Sequence, residues 1–297
     1  MRITFSAQYR DLEEQLNRSQ EALAGFQQQV SSGRRLTAAR DDPQAAAAAV
    51  TEHAALGRLD QYAAATRSTT SHLTVIDSAL SDIVTQLTAA KTAAVSARST
   101  VATSSQRQAI AGALEGFKQT LVSDLTTSFQ GTYVFSGTKT TTVPFTIAGG
   151  VVSAYQGNAG SASVDVDRHI AVPVTFDGSS VTRGSDTNDV FTEMDALITA
   201  VQNGDSAGID AGIAALDRAF TRATTVQTTV GISLNRLEGQ TARLTTIKQR
   251  IETRLSDLEN ADLVEAITGL EQAQAAREAA LGVAATINQR SLMDYLK

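Results

Sequence analysis

The chain has 297 residues, 25 basic and 31 acidic side chains, no cysteine and no tryptophan, and these numbers already exclude several functions. Disulfide frameworks and thiolate chemistry have no residue to use. A net charge of −6 with interleaved signs leaves no basic stripe for nucleic acid and no polybasic cluster for an anionic membrane. The longest purely apolar run, near Ala45 to Val50, is far short of the ~20 residues that span a bilayer.

The first element is a helix. Phe5, Tyr9, Leu12, Leu16, Leu23, Phe26 and Val30 alternate four and three residues apart, with only Ser19 off-type. This spacing draws one apolar stripe down a helix, and such a stripe must be covered. Gly33 in SSGRR supplies a stop. Asp42 then offers a carboxylate cap, with Pro43 at the first position of the next helix. Helical periodicity continues to about Phe129. Its core face is Ile76, Leu80, Ile83, Leu87, Ala90 and Ala94, followed by Ile110, Leu114, Phe117, Leu121 and Leu125. The polar run Thr103-Ser104-Ser105 predicts a kink or short break between the two stretches.

From Gly131 to about Gly184 strand patterns replace helical ones. YVFSG, VPFTI, VVSAY, ASVDV and VPVTF are strand candidates, separated by Gly149-Gly150, QGNAG and Asp177-Gly178, all turn formers. Helix returns at Asn188 or Asp189, pauses at Asn203-Gly204-Asp205, and resumes with Ile209, Ile213, Leu216, Phe220, Ala223, Val230, Leu234, Leu237, Leu244, Ile251, Leu255 and Leu258 in four-three register. Gly231 and Gly239 weaken this helix by ~1 kcal/mol each relative to alanine, so a flex is expected near them. The register slips at Asp262. A weaker stripe of Leu263, Ile267, Leu270, Leu281, Leu292 and Leu296 follows, interrupted by Gln274, Arg277 and Asn288.

The expected architecture is mainly α: a long antiparallel helical bundle or coiled coil with a small inserted β domain. It divides into terminal segments 1–42 plus 259–297, a central bundle 43–130 plus 188–258, and a β-rich insert 131–187. No reaction chemistry emerges. His53, His72 and His169 lack a second ligand at metal spacing. There is no phosphate loop and no nucleophile elbow, so neither an enzyme nor a cofactor is expected. The two terminal stripes fit a self-contained bundle or association between subunits equally well on spacing alone. A cytoplasmic coiled-coil scaffold or signalling module is a further alternative. It would not need the β insert and would have folded ends.

Several stretches resemble the flagellin superfamily. They are the M-R-I start with its heptad helix, SSGRRLTAARDDP (Ser31 to Pro43) before an alanine-rich helix, and LSDLENADLVEAITGLEQAQAAREAAL (Leu255 to Leu281). DDP in place of DDAAG, together with GTYVFSGTKTTTVPF (Gly131 to Phe145) and SLMDYLK, resembles the branch joining hook to filament more than the filament flagellins, which stay as the alternative. The resemblance implies a structural subunit of the bacterial flagellum that packs as an intersubunit coiled coil. Implied partners are the hook-side junction protein (hook-associated protein 1), flagellin, an export chaperone, and copies of itself in a ring. It also implies an extracellular location reached by flagellar type III export. MRITFSAQYRDLEE has no apolar signal core, so a cleaved signal peptide is not expected. The terminal stripe residues are the candidate assembly interface, and neither stripe has a good partner within the chain. Residues 1 to about 40 and 260 to 297 are therefore expected to be labile until assembly orders them.

Overall fold

The computed structural model describes residues 5–98 and 103–295, without the side chains of residues 5–9, 12 and 284–295. In chain order the elements are α1 (Phe5–Ser32), α2 (Pro43–Ala97), α3 (Ser104–Leu125), β1 (Ser128–Phe129), β2 (Thr132–Tyr133), β3 (Ile147–Ala148), β4 (Val151–Val152), β5 (Ser163–Asp167), β6 (Ile170–Pro173), α4 (Gly178–Thr182), α5 (Val190–Asn203), α6 (Ser206–Glu259) and α7 (Leu263–Tyr295). They divide into two compact units, residues 1–59 with 246–297, and residues 60–245.

In the 60–245 unit, the stripes legible in sequence form the core. Leu73, Ile76, Leu80 and Ile83 of α2 are sealed from solvent, as are Leu114 and Leu125 of α3, Leu197 of α5, and Ile209, Val230 and Leu237 of α6. Each such side chain contributes roughly 1.5–3 kcal/mol of burial, so this face holds the helices together. Local chemistry sets the ends. Thr103 and Gln106 form a reciprocal capping box at the start of α3, which satisfies two orphan N–H groups. Asp189 caps α5 through the Thr192 N–H, and Gly204 closes it in the left-handed conformation. The α6 helix runs unbroken through Gly231 and Gly239, where a flex was expected. Phe220, placed on the core stripe by periodicity, is 38% exposed, and Ala219 beside it is buried instead.

The insert holds three antiparallel hairpins, β1–β2, β3–β4 and β5–β6. The strands are shorter than the five apolar stretches predicted. Val134, Phe135 and Phe145 are not paired in a ladder; they are buried in the same core as the helices, with the Phe145 ring 5.3 Å from that of Phe191. Gly149-Gly150 turns the second hairpin as expected. Gln130-Gly131 turns the first, with positive φ at both residues, the backbone a type I′ turn requires. Gly137 is irreplaceable for two reasons: its φ is +63°, and a Cβ there would stand 2.0 Å from the Asn158 carbonyl oxygen.

One buried cation ties the insert to the helices. Lys118 of α3, 2% exposed, donates to Asp195 of α5 at 2.6 Å and to the Gly150 carbonyl at 2.9 Å, with Glu115 at 2.8 Å. Burial opposes its charge, but the bonds to Asp195 and Glu115 prevail and hold its pKa above the ordinary lysine value.

Candidate assembly interface

The unit formed by 1–59 and 246–297 carries every residue singled out for assembly. Its own core is small: Ala49, Ile251 and Leu255, with Leu56, Leu59 and Ile247 against them. The rest of the unit is α1 packed on α7. The Ala261 N–H donates to the Gly33 carbonyl at 3.0 Å, and the Phe26 ring lies where a Cβ on Gly269 would be, 2.6 Å from it. Stepping back along α1 therefore steps forward along α7, so the helices are antiparallel. Successive turns of α1 toward its start therefore meet successive turns of α7 toward its end.

This pairing corrects the expectation that each terminal stripe lacks a partner within the chain. Leu16, Leu23, Phe26 and Val30 are all half-buried, and Ser19 lies on the same face with its hydroxyl buried and unpartnered. The α7 face they meet is made of small residues. Ala266 is 2% exposed, and Gly269, Leu270, Ala273 and Ala280 are half-buried. Small side chains let the backbones approach, so the large α1 residues fill the space.

The predicted α7 stripe divides. Leu270 joins the paired face, while Leu263, Ile267 and Leu281 stay 49%, 46% and 49% exposed, with Val264 at 75% and Val283 at 51%. At about 100° per residue, Leu263, Ile267 and Leu281 lie about 60–100° round the helix from Ala266. α7 thus has one apolar face closed by α1 and a second left open. The side chains of Phe5, Tyr9, Leu12 and Leu292, and all of Leu296, lie outside the described residues.

Between the paired helices, the loop after α1 is latched onto the α6–α7 turn. The Arg35 and Leu36 N–H groups donate to the Glu259 carbonyl at 2.8 and 3.2 Å, and the Arg35 guanidinium reaches the Leu258 carbonyl at 3.0 Å. The Glu259 carboxylate takes His53 Nε2 at 2.6 Å and Arg34 at 3.8 Å. Arg254 pairs with Glu52 at 3.0 Å. The acidic pair before α2 divides its work. Asp42 Oδ1 accepts from the Ala45 N–H at 3.0 Å, and Pro43 opens the helix. Asp41 folds the loop by accepting from the Ala38 N–H at 2.7 Å and the Thr37 hydroxyl at 2.8 Å. Backbone N–H donation holds both carboxyls below their ordinary pKa, from Ala38 to Asp41 and from Ala45 to Asp42. The sequence shows only that His53 lacks a metal partner, and nothing in it singles out Arg34, Arg35 or Glu259. Their meeting was visible only as two separate family-type stretches, SSGRRLTAARDDP and LENAD. Among the described residues no cluster could hold a metal, and no helix is long and apolar enough to cross a membrane.

Family models match both ends of this arrangement. The bacterial flagellin N-terminal helical region matches residues 4–140 and the flagellin C-terminal helical region matches residues 213–296. Flagellar hook-associated protein 3 of Escherichia coli K12 is 26% identical over 279 residues, covering 92% of this chain and 86% of its own. The Salmonella typhimurium protein of the same name is 28% identical over 215 residues, covering 68% and 67%. The chain belongs to the bacterial flagellin superfamily, and the relatives it resembles within it are named hook-associated protein 3. Solved structures share the fold. A flagellar hook-associated protein of Vibrio parahaemolyticus superposes with a TM-score of 0.68 at 19% identity, over 74% of this chain and 100% of its own. The flagellar junction protein FlgL of Legionella pneumophila gives 0.62 at 14%, over 72% and 100%.

The chain is accordingly a flagellar structural protein of the motility apparatus. Its two family matches cover α1 to β2 and most of α6 with α7. They leave the second and third hairpins, α4 and α5 in the unmatched middle.

Proposed function

We propose that this protein forms the junction between hook and filament, and that its terminal helices complete a coiled coil with neighbouring subunits. The observation that carries this reading is the second apolar face of α7. Leu263, Ile267 and Leu281 lie uncovered beside a face that α1 has already closed, and an uncovered apolar stripe on a helix calls for another helix. In this reading the 1–42 and 259–297 segments assemble, the 43–130 and 188–258 helices support them, and the 131–187 insert faces outward. The partners are the hook-side junction protein (hook-associated protein 1), the first flagellin subunits, and further copies of this chain in a ring. An export chaperone would cover the α7 stripe before secretion through the type III apparatus. The ends stay labile until docking, because the α1–α7 pair has little core beneath it. No catalytic step is assigned.

Deletion of the gene tests the junction role. Bare hooks by electron microscopy, with flagellin monomer shed into the medium, are expected; normal filaments would sink the proposal. A filament flagellin reading is separated by seeding, since a purified flagellin would extend seeds into long filaments and a junction protein would stop. Leu16→Asp should block joining of hook to filament. It is the less clean variant, because Leu16 also packs against α7 within the chain.

A further inference from the structure

The 60–245 unit holds a cleft of about 390 Å³ that no part of the assembly reading uses. Its walls come from α2, from the first hairpin and from the chain flanking the third. Ser68, Thr69, His72, Phe129, Tyr133 and Thr140 are among its lining residues, and no carboxylate, lysine or arginine lines it. The volume falls in the range of roughly 300–1,000 Å³ usual for small-molecule sites. One wall is fixed: His72 Nε2 donates to the Val174 carbonyl at 2.7 Å, and the His72 ring meets Phe129 edge-on at 5.3 Å.

Thr69 is the informative residue. The other threonines of α2, at positions 51, 66, 70, 74, 85, 88 and 92, each return their hydroxyl to the carbonyl four residues back. Thr69 does not, although it is only 3% exposed. Its hydroxyl is neither bonded nor among the buried side-chain atoms left without a partner, so it opens onto the cleft that Thr69 lines. The hydroxyls of Ser68, Tyr133 and Thr140 likewise have no hydrogen-bond partner among the described residues. An apolar occupant would bury these hydroxyls unpaired, and a charged one would find no counter-charge.

We propose that this cleft binds an uncharged, hydroxyl-bearing ring of hexopyranose size. Its C–H face would lie on the Phe129 and Tyr133 rings, and its rim hydroxyls would bond to Ser68, Thr69 and Thr140. Hydroxyl groups on both sides can donate or accept, which suits a neutral polyol. With about a dozen heavy atoms and a shallow apolar floor, affinity falls in the range of about 1–10 mM.

The test is saturation-transfer NMR on the full chain with glucose, galactose, mannose and N-acetylglucosamine, and with glucuronate as the charged control. At least one neutral sugar should bind and glucuronate should not. Thr69→Val should weaken that sugar about 3–10-fold with an unchanged circular dichroism spectrum. If Thr69→Val does not fold, the exposed Ser68→Ala is read in its place with the same expected direction. Failure of all four sugars to bind overturns the proposal. So does glucuronate binding as tightly as glucose, or affinity that the variant leaves unchanged. Binding of a peptide spanning residues 146–153 in the absence of any sugar signal would also overturn it, pointing to the apolar second hairpin of another copy as occupant.

Discussion

Lys118→Met removes the cation that ties α3, α5 and the second hairpin together while keeping an apolar stem of similar length. Breaking a buried ion pair costs about 3–5 kcal/mol when the abandoned partner stays buried. Here the Asp195 and Glu115 side chains are 44% and 33% exposed, so both rehydrate once the ammonium is gone. The remaining cost is the lost pairing and the Gly150 carbonyl left without its donor, about 1–3 kcal/mol. At about 2–4 °C per kcal/mol for a unit of this size, the 60–245 unit should melt about 2–12 °C lower. Thermal unfolding followed by circular dichroism measures the shift, and hydrogen exchange at residues 147–152 should show the hairpin loosened ahead of the helices. A melting temperature unchanged within a degree, or raised, would refute the reasoning, because it would mean that the desolvated cluster costs as much as it returns.

Two other perturbations test the same unit. Burial, helped by the nearby Asp82 charge, pushes the Asp124 carboxyl up to about 6, and its Oδ2 has no hydrogen-bond partner. The folded state therefore holds this proton more tightly than the unfolded chain. The sign follows: stability should rise as pH falls from 7 through 6 toward 4, and Asp124→Asn should flatten that slope and stabilise the unit at pH 7 by about 1–3 kcal/mol. Equal slopes in urea titrations of the two proteins would contradict this. Gly137→Ala adds a left-handed alanine and a clash with the Asn158 carbonyl, so a loss of more than about 2 kcal/mol is expected in the same assay.

The helices of the 60–245 unit were legible because their chemistry is local. Ile76 to Ala94 repeats at the helical period, Asp189 and Gly204 mark the ends of one helix, and the polar run Thr103-Ser104-Ser105 marks the break before another. The insert was less legible. Val134 and Phe135 look like strand residues but pack without ladder partners, and Gln130 takes a positive φ that a non-glycine residue does not advertise. Lys118 could not be distinguished from surface lysines, because its burial depends on Asp195 and Gly150, which lie far along the chain. The pairing of α1 with α7 was hidden in the sequence for a physical reason. Hydrophobic periodicity selects the large residues Leu263, Ile267 and Leu281, whereas the face that α1 covers is Ala266, Gly269, Ala273 and Ala280. Alanine and glycine carry little apolar signal, yet they permit the closest helix approach. The large residues stay exposed, open to the proposed second contact.

That second contact is tested most directly at Ile267. A deletion strain complemented with Ile267→Asp should produce hooks without filaments and release flagellin into the medium. The purified variant should melt within a degree or two of the parent, since Ile267 is already 46% exposed. Ile232→Asp, at a residue of α6 that is 57% exposed and lies outside the stripe, should leave filaments intact. Normal filaments on the Ile267→Asp strain would contradict the assignment of the open α7 face to neighbouring subunits.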